Sequence, residues 1–453
     1  MAINNLPAAI QSAIQQNFLE RAFEESLRAK LGFRSIADRE PFMAGIGETI
    51  TKTRTGLLPA ITTPMAPAAN SDITSGMTPQ NYALEQYTLA INQYPGSMML
   101  NVATARVAIA SLFLRNAVTL GEQAYRSVDT LAQQTLFNTY LGGNTRVRVT
   151  LGAAGVTISV DDIRGFQNTL NAAGQVVAVS AGFPVNVTVG ADVYSLTGSA
   201  ADGSNVSTAP GGVSGTLTFA SAVTVADGTA LQPVVSAVAP YVIRPSTSAA
   251  NVMASATTGI SAANDFNAGK ITMDMILTAK ATMSANGVQP VSETGMYNYY
   301  GDPLQIKGLF SDSAFQLLFR GGANTAEYRK GIVADLLGVN LIETNLNPVQ
   351  ALAGVGTVRR GILVGQGALV EGVFTNDAYA AVDGDSPEDE AITVVDGIAH
   401  ITREPLDALQ QVITQSWSYI GGFAVPSDTT ANPNTIPTAN NSAFKRGILL
   451  ESL

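Results

Sequence analysis

Few residues in this 453-residue chain could do chemistry, and their spacing decides what remains. The densest carboxylate run is DGDSPEDE, residues 383–390, with Asp383, Asp385, Glu388, Asp389 and Glu390. Such a run can hold calcium, but this one lacks the register and the terminal glutamate of a calcium-binding helix–loop–helix. Pro387 marks a surface loop, so a solvated acidic loop is the plainer reading. A catalytic acid–base pair would need a cleft that desolvates one partner, and nothing in the flanking sequence supplies one. His400 is the only histidine, and there is no cysteine. Zinc sites built on two or three histidines, thiolate nucleophiles and disulfides are therefore excluded.

Phosphate-binding loops fail as well. NDFNAGKIT offers Gly269 and Lys270, but Ile271 stands where a hydroxyl should reach a metal and Asn264 where the leading glycine belongs. GQGALV begins like a dinucleotide fingerprint at Gly365 and Gly367, then places Val370 at the third glycine. No Gly-x-Ser-x-Gly elbow occurs. We expect no catalytic, cofactor-binding or metal-binding residues, hence no cofactor and no enzyme. The single tryptophan, Trp417, alternates with Gln415 and Tyr419 in EPLDALQQVITQSWSYIGGFAV, which reads as a strand with Trp417 in a core.

Composition points the same way. Hydrophobic residues make up 46% and charged residues 13%, about half the usual charged share. A surface with so little charge is expected to be covered in large part by partners. Net charge is −10, from 25 basic and 35 acidic residues, and no lysine lies between Lys52 and Lys270. Tight binding to nucleic-acid phosphates requires clustered cations, so this balance argues against it. Length alone suggests about three folding units. MAINNLPAAIQSAIQQNF has no basic flank or apolar core, so no signal peptide is expected. No apolar run is long enough for a membrane helix.

The elements are legible in order. Ile10, Ile14, Phe18, Ala22 and Leu27 form an apolar helical stripe in an N-terminal arm, residues 1–43. GETITKTRT and YALEQYTLAINQY alternate as two strands around a Pro- and Gly-rich stretch of about 25 residues, a long hairpin. From Val102 to Leu141 there is no proline and only Gly121, which predicts a helix of roughly 60 Å. Its stripe would be Val118, Gly121, Tyr125, Val128, Ala132, Thr135 and Thr139. Residues 145–247 are Val, Thr, Ala, Ser and Gly with short strands such as GVTISV, VNVTVG and GTLTFA, a small all-β domain set into the chain. Beyond it, KITMDMILTAKATMSANG predicts a helix with Met273, Ile276, Leu277 and Ala281 inward. AITVVDGIAHITR predicts a hairpin turning at Asp396-Gly397.

This order of parts, with phrases such as ATMSANGVQPVSETGMYNYYGDPLQIKGLFSD, GVNLIETN and RRGILVGQGALVEG, resembles the major capsid proteins of tailed double-stranded DNA bacteriophages, the Hong Kong 97 fold. The resemblance covers nearly the whole chain and lies in the order of the phrases. It implies an α+β capsid fold: N-terminal arm 1–43, extended loop 44–100, spine helix 101–144, inserted β domain 145–247, and axial domain with the rest of the peripheral domain over 248–453. It implies hexamers and pentamers in the capsid of a virion, assembled in a host bacterial cytoplasm around double-stranded DNA, with a portal, a separate scaffolding protein and in some cases a decoration protein. No N-terminal cleavage is expected. Under this reading Ile10, Ile14, Phe18, Phe23, Lys52 and Arg54 are the candidate contacts between subunits. Some members of that family join subunits by an isopeptide bond from an extended-loop lysine. Lys52 lies in the matching region but no partner asparagine or glutamate can be placed, so a non-covalent contact is expected. Two other readings are a surface adhesin or carbohydrate-binding β protein, and the shell of an enzyme nanocompartment.

Overall fold

A computed structural model describes residues 32–42, 49–55, 62, 84–101, 109–170, 176–202, 213–236, 239–244, 269–291, 295–320, 335–352, 356–374, 392–403, 411–426 and 445–453. The arm stripe, the stretch between the hairpin strands and the acidic run 383–390 lie outside these residues. The chain divides into two compact units, one from residues 1–50, 89–136 and 367–425, the other from 51–88, 137–366 and 426–453. Two units thus replace the three that length suggested.

The first unit is organised around the 13-residue strand Val412–Ala424. It pairs antiparallel with Asn92–Asn101 along one side and Ile398–Arg403 along the other, and its last residues pair with Leu369–Phe374. Ile392–Val395 closes a hairpin with Ile398–Arg403, and both Asp396 and Gly397 have positive φ, as a type I′ turn requires. Ala37–Phe42 adds in parallel to Leu369–Phe374. The helix Ile109–Leu141 is 33 residues long, about 50 Å. Its described part begins at Ile109; residues 102–108, where the sequence places its start, lie outside the described residues. In this unit Leu120, Ala124 and Val128 of that helix pack against Ile398, Trp417 and Tyr419. The buried helix face runs through Phe113, Ala117, Leu120, Ala124 and Val128, while Val118 is exposed. Of the expected stripe, Gly121, Val128, Ala132 and Thr139 are buried, Tyr125 and Thr135 are half-buried and Val118 alone is exposed.

Thr49–Thr55 and Leu84–Ala90 pair with each other in a two-stranded ribbon, as the alternation predicted.

In the second unit, consecutive stretches between residues 144 and 236 build one antiparallel sheet. Its order is Asn144–Arg146, Pro233–Ser236, Val185–Val189, Asp192–Ala201, Gly215–Val223, Gly155–Val160. A bridge from Val147 to Val160 joins the outer strands, so the sheet closes on itself. Alternate residues such as Ile158, Val187, Val189, Leu196 and Leu217 fill its interior. Gly143 and Gly165 both have positive φ, and a β-carbon at Gly165 would stand 2.2 Å from the Gly143 nitrogen. That crossing of backbones needs glycine.

The other sheet of this unit has the order Tyr241–Ile243, Gly447–Ser452, Gly356–Val364, Tyr297–Gly301, Val339–Glu343, Asp335–Leu336. The helix Met273–Ala285 starts at Thr272, whose hydroxyl accepts from the Met275 amide, and stops at Asn286-Gly287. It buries Met275, Ile276, Ala279 and Met283 against the sheet. Ala281 is exposed, so here the expected inward face was offset, since the two methionines reach further into the core than alanine does. No helix among the described residues is long and apolar enough to cross a membrane.

Candidate functional site

His400 lies on the strand Ile398–Arg403 directly opposite Trp417, and is 1% exposed. Burial lowers its pKa to about 4, so the ring is neutral at physiological pH. Trp417 is buried, and its Nε1 donates to Gln123 Oε1 at 3.2 Å. Trp417 serves packing, as expected. Gly365 and Gly367 flank a turn before the strand Leu369–Phe374 and precede no helix, which leaves no dinucleotide cradle. No group of three potential metal ligands occurs among the described residues.

Of the residues proposed as contacts, Ile10, Ile14, Phe18 and Phe23 lie outside the described residues. Lys52 is half-buried on the strand Thr49–Thr55, and Arg54 lies on the same strand. Of the six, only Lys52 and Arg54 are among the described residues.

The structure gathers two ion-pair clusters that sequence spacing did not reveal. In the first unit Glu371 is fully buried. Its Oε1 accepts from Arg34 Nε at 2.8 Å and from the Tyr419 hydroxyl at 2.9 Å, and Arg39 Nε lies 3.3 Å from Oε2. Arg34 also donates to the Asp396 carbonyl at 2.7 Å and stacks its guanidinium over the Tyr419 ring at 5.5 Å. Asp396, placed by its turn, accepts from Arg39 as well. The Arg34 amide donates to Asp129 of the long helix at 3.0 Å. Burial, reinforced by Glu371, raises the Tyr419 phenol, which therefore stays a donor.

In the second unit the centre is Glu451, also fully buried, on the strand Gly447–Ser452. Arg146 of the closed β sheet donates through Nη2 to both carboxylate oxygens, at 3.1 and 2.9 Å. Arg244 Nε donates to Oε2 at 3.0 Å and Arg360 Nε to Oε1 at 3.0 Å. Arg360 also donates to Gln350. Burial alone would raise the Glu451 carboxyl, but the three guanidiniums outweigh it and hold it well below the usual carboxylate range. Burial lowers Arg244 to about 10, still charged at neutral pH. Next to it Asp162 is taken by Arg164, with Nη2 to Oδ2 at 2.7 Å. Both clusters hold permanent charges in fixed pairs. Each ties together strands distant in sequence.

No protein-family model matches the chain, and no curated protein does. Solved structures similar to it are phage capsids. The capsid of Ralstonia phage GP4 is 13% identical, with a TM-score of 0.47, over 92% of this chain and 87% of that one. The capsid of the cyanophage P-SCSP1u is 12% identical, with a TM-score of 0.45, over 93% and 88%. The head of Helicobacter pylori bacteriophage KHP40 is 12% identical, with a TM-score of 0.42, over 94% and 92%.

Proposed function

We propose that this chain is a structural shell subunit, the major capsid protein of a tailed phage with a Hong Kong 97-like fold. The observation that carries the reading is the succession of elements. Strand Ala37–Phe42, a two-stranded ribbon and strand Asn92–Asn101 precede a 33-residue helix, a β sheet closed on itself follows, and the remaining chain completes two mixed sheets, one of which takes in the two early strands. Under this reading residues 1–43 are the arm, 44–100 the extended loop, 101–144 the spine helix, 145–247 the inserted β domain, and 248–453 the axial domain with the rest of the peripheral domain.

Supporting it, the candidate chemistry resolves into packing and fixed ion pairs. Low charge makes sense where neighbours cover the surface. The acidic balance keeps enclosed double-stranded DNA from adhering to the wall. The subunit assembles as hexamers and pentamers, with a portal and a scaffolding protein, within a virion. Ile10, Ile14, Phe18, Phe23, Lys52 and Arg54 are its contacts to neighbours.

Electron microscopy of the purified chain, alone and with a candidate scaffolding protein, tests this. Closed shells, tubes or rings of five or six subunits are expected. A discrete monomer under both conditions overturns the reading and turns attention to glycan binding by residues 145–247.

A further inference from the structure

Three buried polar atoms beside the Glu451 cluster have no hydrogen-bond partner within the protein: Nη1 of Arg146, Nη1 of Arg360 and Oδ1 of Asn144. Each arginine side chain is only 3% exposed, and its bonds go to Glu451 and, for Arg360, also to Gln350. Asn144 is buried too, and its Nδ2 is turned to the Pro240 carbonyl at 3.5 Å, which leaves the amide oxygen unused. A buried polar atom left unpaired keeps the full cost of its lost hydration. Two donors and one acceptor therefore call for a common guest.

All three residues line one small cavity, of about 10 Å³, together with Asp161. The Asp161 carboxyl pairs directly with neither arginine. Burial pushes it up, against the longer-range pull of Arg146 and Arg360. A guanidinium only donates, while an amide oxygen and a carboxylate only accept. A halide would serve the arginines and face the oxygens of Asn144 and Asp161; a cation would do the reverse. Water both accepts and donates, and a cavity of this size takes about one.

We propose that the cavity is a structural water site. One water accepts from Nη1 of Arg146 and Nη1 of Arg360 and donates to Asn144 Oδ1 and the Asp161 carboxylate, four bonds that use its full capacity. It thereby carries an indirect ion pair from Asp161 to both arginines and extends the Glu451 cluster to a second carboxylate. The water also spans a joint. Asn144 and Arg146 belong to the closed sheet and Asp161 directly follows its strand Gly155–Val160, whereas Arg360 lies on Gly356–Val364 of the other sheet. The closed sheet is seated on its neighbour through a solvent molecule as well as through Glu451.

A high-resolution crystal structure of the full chain, with and without a bromide soak, tests this. One peak is expected within hydrogen-bond distance of both Nη1 atoms and of Asn144 Oδ1, with no anomalous signal from bromide. Asp161→Leu, which removes an acceptor and puts carbon against the cavity, should lose the peak. A peak that persists there overturns the role given to Asp161. In wild-type crystals an empty cavity, a bromide signal or a direct bond from Asp161 to either arginine overturns the site, and those crystals decide alone should the variant not fold.

Discussion

Trp417 faces Gly96 across the pairing of strands Val412–Ala424 and Asn92–Asn101, and a β-carbon added at Gly96 would stand 2.3 Å from the indole Nε1. The ring occupies the space that glycine leaves, and from there it reaches Gln123 on the long helix. Strand register, ring and helix are set by one missing methyl group.

Gly96→Ala should accordingly displace the indole and cost about 1–3 kcal/mol, as overpacking does. Chemical denaturation followed by tryptophan fluorescence measures it directly, since Trp417 is the only reporter. An unchanged midpoint would mean that the ring moves aside freely.

Removing the charge of Glu451 should be worse. Glu451→Gln leaves Arg146 and Arg360 buried with no carboxylate, a loss of about 3–5 kcal/mol. The pH dependence has a definite sign. Because the folded carboxyl sits below its ordinary 4.5, its contribution is complete above that value and is lost as pH falls through the folded value. The wild-type chain should thus show an acid-unfolding limb below pH 4.5 that flattens in Glu451→Gln, as read by denaturant midpoints across pH.

His400 acts in a higher window. Its folded pKa of about 4 lies under the ordinary 6.5, so the unfolded chain binds the proton more readily between the two. Stability should fall from pH 6.5 to pH 4, by at most about 3 kcal/mol. His400→Gln should remove most of that slope. A slope that persists in the variant would assign it to other groups.

Lys52 gives a test of covalent linkage. Assembled particles, boiled and run on a denaturing gel, should show a single band at the chain mass of 47.0 kDa. A ladder of multimers would instead mark an isopeptide bond, and Lys52→Arg should then abolish it.

Local signals were readable wherever the physics is local. Asp396-Gly397 announces its turn because few pairs tolerate two positive φ values, and the alternation around Trp417 announces a long strand. The helix faces were read in part: Gly121, Val128, Ala132, Thr139 and Ile276 are buried as expected, while Val118 and Ala281 are exposed, since periodicity marks a stripe while side-chain size decides its centre. The ion clusters were invisible for a different reason. Glu451 meets Arg146 across 305 positions and Arg34 meets Glu371 across 337, and no spacing rule spans such gaps. One hint was present: Glu451 stands alone in the apolar strand GILLES, where a charge must find a partner.

The parallel pairing of Ala37–Phe42 with Leu369–Phe374 has a consequence for the newborn chain. The first strand leaves the ribosome early, and its partner follows only after the whole run 137–366 of the other unit. At 5–20 residues per second that delay is roughly twenty seconds to a minute. Throughout it, the Ala37–Phe42 and Asn92–Asn101 backbones lack their partner strands and are open to the wrong ones. Yield during synthesis should therefore depend on translation speed and on whatever shields those strands, more than on the stability of the finished fold.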